Sequence, residues 1–281
     1  MYLDFFGLAE LPFRLTPDTR FFYESRGHAK ALSYMQYGLH KGEGFVVVTG
    51  DIGAGKTLLA DTIMAQLGPR SVSVLSMTQL DPPELIRMIG RGFGIAASGI
   101  ERSDGLLRLA ERTAELGRNG GPPLILIDEA QNLPLASLEE LRMLSNLRNG
   151  PAALLQVLLV GQPSLRSLLA RPELEQLMQR VVAMCHLQPL GAAETGDYIR
   201  HRLAAAGWHG DPLIDEEVFA LIHREARGVP RRINTLMDRL LLLGYLERRH
   251  TIDRDMAEAM AAELREEGLG PPPPALREVD R

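Results

Sequence analysis

The segment from Gly50 to Thr57 reads GDIGAGKT, and it constrains the possible folds more than any other part of the chain. Its spacing fits the pattern G-x-x-x-x-G-K-[ST] without a mismatch. Glycines at this density let a loop direct successive backbone N–H groups inward, where they can bind phosphate oxygens. Such a loop requires a strand before it and a helix after it. The segment therefore predicts an α/β fold that binds phosphate.

Short apolar runs alternate with helical patterns over about the first 190 residues. The predicted strands are 45–50, 71–76, 124–129, 154–161 and 181–187. The predicted helices between them are 55–67, 82–92, 103–119 and 137–148, the last with Ser137 as its expected cap and Glu140 completing a capping box. Branched aliphatic strands that alternate with helices favour a parallel sheet sandwiched by helices.

The strand patterns stop after residue 190, and only helical patterns follow. The predicted helices there are 192–206, 215–226, 230–246 and 253–264, with Asp215 and Asp253 as expected caps. We therefore expect an α/β domain followed by a small all-α domain. The expected divisions are an N-terminal segment 1–44, an α/β core 45–190, a helical domain 191–265 and a proline-rich disordered tail 266–281.

Composition narrows the class of protein. The chain has 281 residues and a formal net charge of -5, which argues against wholesale attraction to nucleic acid but allows a local basic patch. Its single cysteine, Cys185, excludes an internal disulfide and a cysteine cluster for metal. No apolar stretch approaches the length of a membrane span, and the N-terminus lacks the basic start of a signal peptide. We expect a cytoplasmic protein.

The phosphate-loop motif indicates which residues bind the nucleotide and its metal ion. Lys56 is expected to reach the β- and γ-phosphates of a nucleotide, and the Thr57 hydroxyl is expected to bind Mg²⁺. The expected nucleotide-binding residues are Gly50, Asp51, Ile52, Gly53, Ala54, Gly55, Lys56, Thr57 and Leu58. An N-K-x-D motif, which would read guanine, does not occur in the sequence. ATP is therefore the expected nucleotide.

Two adjacent acids suggest hydrolysis. In LILIDEAQNL, Asp128 follows four apolar residues, so its carboxylate is expected at the C-terminal edge of a neighbouring buried strand. There it would bind Mg²⁺, most simply through water. Glu129 is the natural base to polarise the attacking water. Together with the phosphate loop, the pair predicts a nucleoside-triphosphate hydrolase.

These motifs occur with GLAELPFRLTPDTRFFY, VLLVGQPSL and GVPRRIN, and residues 1–265 resemble the AAA+ ATPases of the ExeA/GspA type from bacterial general secretion. Within that group the chain is most similar to ATPases of exosortase (PEP-CTERM) and exopolysaccharide loci. ExeA-type proteins continue into a membrane span and a peptidoglycan-binding domain, whereas this sequence ends after a proline run, so we expect the shorter type. The resemblance implies an AAA+/ASCE P-loop fold with a helical lid, a homo-oligomer, and a partner in secretion or polysaccharide machinery.

The resemblance also assigns roles to single residues. Gln162 would be the sensor-1 residue that orients water or detects the γ-phosphate. Arg180 matches the arginine finger that completes a neighbouring subunit's site. Arg231 matches the sensor-2 residue, with Arg232 as the alternative.

The N-terminal segment would lie over the nucleotide base. Its candidate contacts to adenine are Pro17, Phe21, Phe22 and Tyr23. In the helix that follows, we expect His28 and Lys30 to lie on the surface.

Two other functions remain open. The first is a DNA-binding ATPase like the transposition proteins of the TniB/MuB kind, with Arg231, Arg232, Arg248 and Arg249 in a basic groove. The second is a scaffold that binds ATP and hardly hydrolyses it, although the Asp128–Glu129 pair argues against it.

Overall fold

The computed structural model describes residues 1–16, 18–76, 79–96, 102–118, 120–268 and 270. The helices are α1 (Tyr2–Phe6), α2 (Arg26–Lys41), α3 (Lys56–Gln66), α4 (Pro82–Gly92), α5 (Arg102–Gly117), α6 (Leu135–Leu144), α7 (Ser164–Leu169), α8 (Glu175–Met178), α9 (Ala192–Ala205), α10 (Glu216–Ala226), α11 (Pro230–Leu246) and α12 (Arg254–Glu266). The strands are β1 (Phe45–Gly50), β2 (Val72–Leu75), β3 (Leu124–Ile127), β4 (Arg148–Asn149), β5 (Ala152–Ala153), β6 (Gln156–Gly161), β7 (Val181–Leu187), β8 (Leu213–Ile214) and β9 (Thr251–Ile252). No helix in these ranges is long and apolar enough to cross a membrane.

The chain folds as two compact units, one comprising Arg26–Gln188 and the other comprising Met1–Ser25 with Pro189–Arg281. The N-terminal stretch that the sequence suggested as one segment, 1–44, is thus divided. Residues 1–25 belong to the unit that contains the C-terminal helices, and α2 belongs to the α/β unit.

The α/β unit is built on a five-stranded parallel sheet in the order β2-β3-β6-β1-β7. Every residue of β1, β3 and β6 is buried, as expected for central strands covered on both faces. The expected parallel sheet sandwiched by helices is therefore confirmed. Strand β6 lies between β1 and β3, so the strand that carries the acids is not the direct neighbour of the strand that carries the phosphate loop.

Helix α6 begins earlier than its sequence suggests, and the expected capping box is wrong. The helix starts at Leu135 after Pro134, so Ser137 lies inside it. The Ser137 side chain is fully buried, and its hydroxyl donates a 2.6 Å hydrogen bond to the Leu80 carbonyl. The serine therefore satisfies a loop carbonyl in the interior instead of a helix start.

The second unit is a helical bundle with its own hydrophobic core. Helices α9 to α12 supply most of the core, and α1 adds Tyr2 and Phe6. Asp215 and Asp253 occupy the caps of α10 and α12, as the sequence predicts. The short strands β8 and β9 pair in parallel beside these helices.

Candidate active site

The phosphate loop joins β1 to α3 and depends on its glycines. Gly53 and Gly55 have φ angles of 81° and 97°, in the left-handed region that side chains other than glycine rarely adopt. Gly50 is constrained by contact, because a Cβ there would lie 3.0 Å from the Leu187 carbonyl oxygen of the next strand. The sequence thus fixes a tight turn at the C-terminal edge of the sheet. Asp51, Ile52 and Thr57 are exposed along it, whereas Ala54 is buried and Leu58 is half-buried in the first turn of α3.

Lys56 is the first residue of α3, and its side chain turns back over the loop. It is only 5% exposed, and its Nζ donates hydrogen bonds of 2.9 Å to the carbonyl oxygens of Gly50 and Asp51. The ammonium group therefore lies inside the curve of the loop. At this helix start, the backbone N–H groups and the helix dipole add to the attraction for an anion.

Thr57 and Asp128 meet although β6 separates their strands. The Thr57 hydroxyl donates a 2.8 Å hydrogen bond to Asp128 Oδ2. A hydroxyl and a carboxylate that converge beside a phosphate loop match the oxygen ligands that Mg²⁺ prefers, with phosphate oxygens and water filling its other positions. These two residues therefore fit a magnesium ion bound with a nucleotide.

A further acid lies near this pair. Burial, together with the negative charge of Asp128, raises the pKa of the Asp61 carboxyl on α3 above its ordinary value. The Asp61 carboxyl therefore lies close enough to Asp128 for the two charges to interact.

Glu129 follows Asp128 in a left-handed backbone conformation, with a φ of 52°. Its carboxylate oxygen Oε2 accepts hydrogen bonds from two side-chain amides, Gln131 Nε2 at 2.6 Å and Gln162 Nε2 at 3.0 Å. The backbone N–H of Glu129 donates to Asp128 Oδ1 at 2.9 Å. The carboxylates of Asp128 and Glu129 thus have different hydrogen-bond partners, which hold them in different directions.

Gln162 comes directly after β6, at the same edge of the sheet. The structure therefore brings together the residue expected to detect phosphate and the residue expected to act as a base. Gln131, which is not among the predicted site residues, also lies in this cluster. Its position two residues after the acid pair is the only signal that could have indicated it.

His28 differs from the expectation of a surface residue. It lies in the first turn of α2 and is 5% exposed. A Cβ built on Gly55 would lie 3.1 Å from its Nε2, so the imidazole is packed against the phosphate loop. Lys30, two residues later, is exposed as expected.

Arg180 lies at the opposite edge of the same sheet. It immediately precedes β7, and its carbonyl oxygen accepts a 2.9 Å hydrogen bond from the N–H of Phe45 at the start of β1. The phosphate loop begins at the other end of β1, at Gly50, five residues after Phe45. At about 3.3 Å per residue the strand separates the two by about 16 Å. The guanidinium therefore does not belong to the site formed by its own phosphate loop.

The remaining predicted residues lie in the helical unit. Arg231 is exposed and Arg232 half-buried in the first turn of α11.

Phe21 is 1% exposed, and the guanidinium groups of Arg14 and Arg202 lie over its ring at 5.3 and 5.0 Å from the centroid. Its ring is thus committed to the helical unit and has no surface to offer to adenine.

The other expected adenine contacts differ in their surroundings. Phe22 and Tyr23 are half-buried, and Tyr23 makes an edge-on contact with Tyr198 of α9. Pro17 lies outside the described residues.

The sequence is similar to a described protein family and to a bacterial secretion protein. Residues 39–169 match a family described as AAA domain. The chain is 36% identical over 278 residues to general secretion pathway protein A of Aeromonas hydrophila, a match that covers 95% of the chain and 50% of that protein. The chain thus spans about half the length of this relative.

Solved structures share the fold at low sequence identity. The ORC2 protein of Aeropyrum pernix in its ADPNP–ADP complexes matches with a TM-score of 0.63 and 18% identity, over 84% of this chain and 66% of that one. The Cdc6 protein of Pyrobaculum aerophilum matches with a TM-score of 0.65 and 16% identity, over 84% and 68% of the two chains. The RuvB Holliday junction branch migration motor of Thermotoga maritima gives 0.60 and 18%, over 90% and 73%.

Proposed function

We propose that this chain is an AAA+ P-loop ATPase, that it hydrolyses ATP at the edge of the sheet formed by β1, β3 and β6, and that it does so for a secretion machinery. The AAA domain match, the related secretion protein and the shared fold support this proposal. The observation that carries the site assignment is the convergence of Lys56, Thr57, Asp128 and Glu129 at that edge. A nucleotide phosphate, a magnesium ion and a water molecule each have a matching group there.

Each residue has one proposed task. The loop N–H groups and Lys56 neutralise the phosphates, and Lys56 exchanges its two carbonyl partners for phosphate oxygens when ATP binds. Thr57 and Asp128 would hold Mg²⁺, which would withdraw charge from the phosphates when bound. Gln162 orients the attacking water, and Glu129 accepts its proton as the water oxygen bonds to the γ-phosphorus. The bond from the γ-phosphorus to the bridging oxygen breaks at the same time, and ADP leaves.

Two variants separate binding from turnover. We expect Lys56→Ala to abolish nucleotide binding or nearly so, because it removes the positive charge inside the loop. We expect Glu129→Gln to bind ATP normally and to lower steady-state phosphate release by about 10²- to 10⁴-fold. Lys30→Ala and Glu173→Gln, which change exposed residues outside the predicted site, are the matched controls. Normal turnover by Glu129→Gln would refute the assignment of the base.

Arg180 is proposed to act on a second copy of the chain. Its place at the far edge of the sheet supports this, since an arginine needed at the γ-phosphate has to come from another subunit if its own strand holds it about 16 Å away. This assignment requires a homo-oligomer. Arg231, or Arg232 in its place, is proposed as the residue of the helical unit that reads the γ-phosphate.

The proposed partner is a secretion machinery, on the evidence of the match to general secretion pathway protein A. A narrower association with exosortase and exopolysaccharide export rests on the sequence resemblance. Exosortase and chain-length-regulator genes beside the gene for this chain would support it, and a transposase gene would contradict it.

DNA binding is the alternative, and the formal net charge of -5 argues against it. Of the four arginines in the expected basic groove, Arg249 is paired with Asp253. A DNA titration over a range of salt concentrations, with and without ATP, tests it. Tight, ATP-dependent binding with a steep salt dependence would favour the alternative.

A further inference from the structure

Gln131 bridges the ends of two strands with a single side-chain amide. It lies in the short 3-10 turn Ala130–Asn132 directly after Glu129. Its Nε2 donates to Glu129 Oε2 at 2.6 Å, and its Oε1 accepts from the backbone N–H of Gln162 at 2.9 Å. The amide therefore connects the carboxylate that follows β3 with the backbone that follows β6.

These two partners fix the orientation of the amide. A backbone N–H can only donate, so it requires the amide oxygen, and an ionised carboxylate can only accept, so it requires the amide nitrogen. The reverse orientation would place two donors face to face at Gln162 and two acceptors face to face at Glu129. The bridge thus has one stable arrangement.

The neighbouring strand leaves room for this amide. A Cβ on Gly161 would lie 2.7 Å from Gln131 Oε1 and 2.9 Å from Leu165 Cδ2. Because Gly161 has no side chain, the Gln131 oxygen can reach the N–H of Gln162. The absence of a side chain at Gly161, the last residue of β6, therefore makes room for the hydrogen bond from Gln162 to Gln131.

We propose that Gln131 is a positioning residue for hydrolysis, which holds the Glu129 carboxylate in the direction that the reaction needs and ties it to the strand that carries Gln162. This inference rests on the proposed role of Glu129 as the base. Gln131 and Gln162 donate to the same carboxylate oxygen, so together they set the angle of the whole group. Gln131 itself takes no proton and acts only through the carboxylate of Glu129.

The expected size of the effect follows from the geometry of proton transfer. A base acts only within hydrogen-bond reach of the proton that it removes. A displacement of about 1 Å at a catalytic group can lower the rate by about 10²-fold. Loss of the Gln131 bridge should therefore lower kcat by about 10- to 100-fold and leave nucleotide binding unchanged.

The variant Gln131→Met tests this, because it keeps an unbranched side chain of similar length and removes both hydrogen bonds. We expect kcat for phosphate release to fall while KM and the Kd for nucleotide stay within about twofold of the wild type. Gln131→Glu is a second variant, which keeps an acceptor for Gln162 and replaces the donor to Glu129 with an acceptor. Gln36→Met, which removes an exposed amide pair with Gln66, is the matched control.

A double variant decides whether Gln131 acts through Glu129. In a Glu129→Gln background, Gln131→Met should lower kcat no further, because the group that it positions is already lost. An additional, multiplicative loss would overturn the proposal, and so would a wild-type kcat in Gln131→Met. If Glu129→Gln itself retained full turnover, the assignment of the base would fail first and the positioning role with it.

Discussion

Gly55 meets two constraints at once, and they explain why this residue closes the phosphate loop. Its φ of 97° suits glycine alone, and a Cβ there would lie 3.1 Å from the buried His28 imidazole. Backbone strain and side-chain packing thus select the same residue. Helix α2 therefore supports the shape of the phosphate loop through His28.

We expect Gly55→Ala to raise the Kd for nucleotide by at least about tenfold. An alanine in the left-handed region costs about 1–2 kcal/mol, and its methyl group would also displace either His28 or the loop. Gly68→Ala is the matched control, because Gly68 has a φ of 63° and open space around its Cβ position. Titration with a fluorescent ADP analogue measures both. Equal affinities for the two variants would show that the loop tolerates the change.

Single residues also show the limit of prediction from sequence. The phosphate loop and the acid pair could be predicted because each is encoded by adjacent residues. Gln131 and His28 could not, because their roles depend on contacts across the sheet edge and across to α2. An amide in a polar turn and a histidine near a helix start have no local pattern that indicates such contacts.

At the scale of elements, the helix caps of the helical unit differ in strength. The Asp253 side chain accepts a 3.0 Å hydrogen bond from the N–H of Met256, and this bond is the main reason that the pKa of Asp253 is lowered. Asp215 begins α10 without a side-chain hydrogen bond to the helix. Only the first of the two therefore stabilises its helix through a cap.

Asp253→Ala is expected to destabilise the protein by about 1 kcal/mol, and Asp215→Ala by less. Because folding lowers the pKa of Asp253, its contribution is present above its unfolded pKa of about 3.9 and is lost as the pH falls through the lower folded value. Urea unfolding of both variants at pH 7 and at pH 3 measures this. A cost for Asp253→Ala that is the same at both pH values would contradict the account.

The elements themselves show what patterning can predict. Strand β1 has the predicted limits, since four apolar residues and Thr49 between two glycines admit few alternatives. The start of α6 was misplaced because Ser137 fits a capping box, and only its buried contact with Leu80 reveals another role. The position of β6 between β1 and β3 could not be derived either, since strand order depends on crossover connections.

At the scale of the whole molecule, the sheet of the α/β unit presents two chemically different edges. The C-terminal edge carries the phosphate loop and the acids, and the N-terminal edge carries Arg180. Under the proposed role of Arg180, one copy of the chain has both halves of a complete site but cannot bring them together. If the site needs both halves, two copies have to meet with opposite edges facing, as in a ring or a helical filament.

The most direct test of this account is to mix two inactive variants. Lys56→Ala lacks a working phosphate loop but keeps Arg180, and Arg180→Ala has the reverse defect. Each alone should hydrolyse ATP at a small fraction of the wild-type rate. An equal mixture should recover about a quarter of that rate, because one interface in four then joins an intact loop to an intact arginine. If the mixture stays as inactive as its components, or if Arg180→Ala alone retains full activity, the site is not shared between copies.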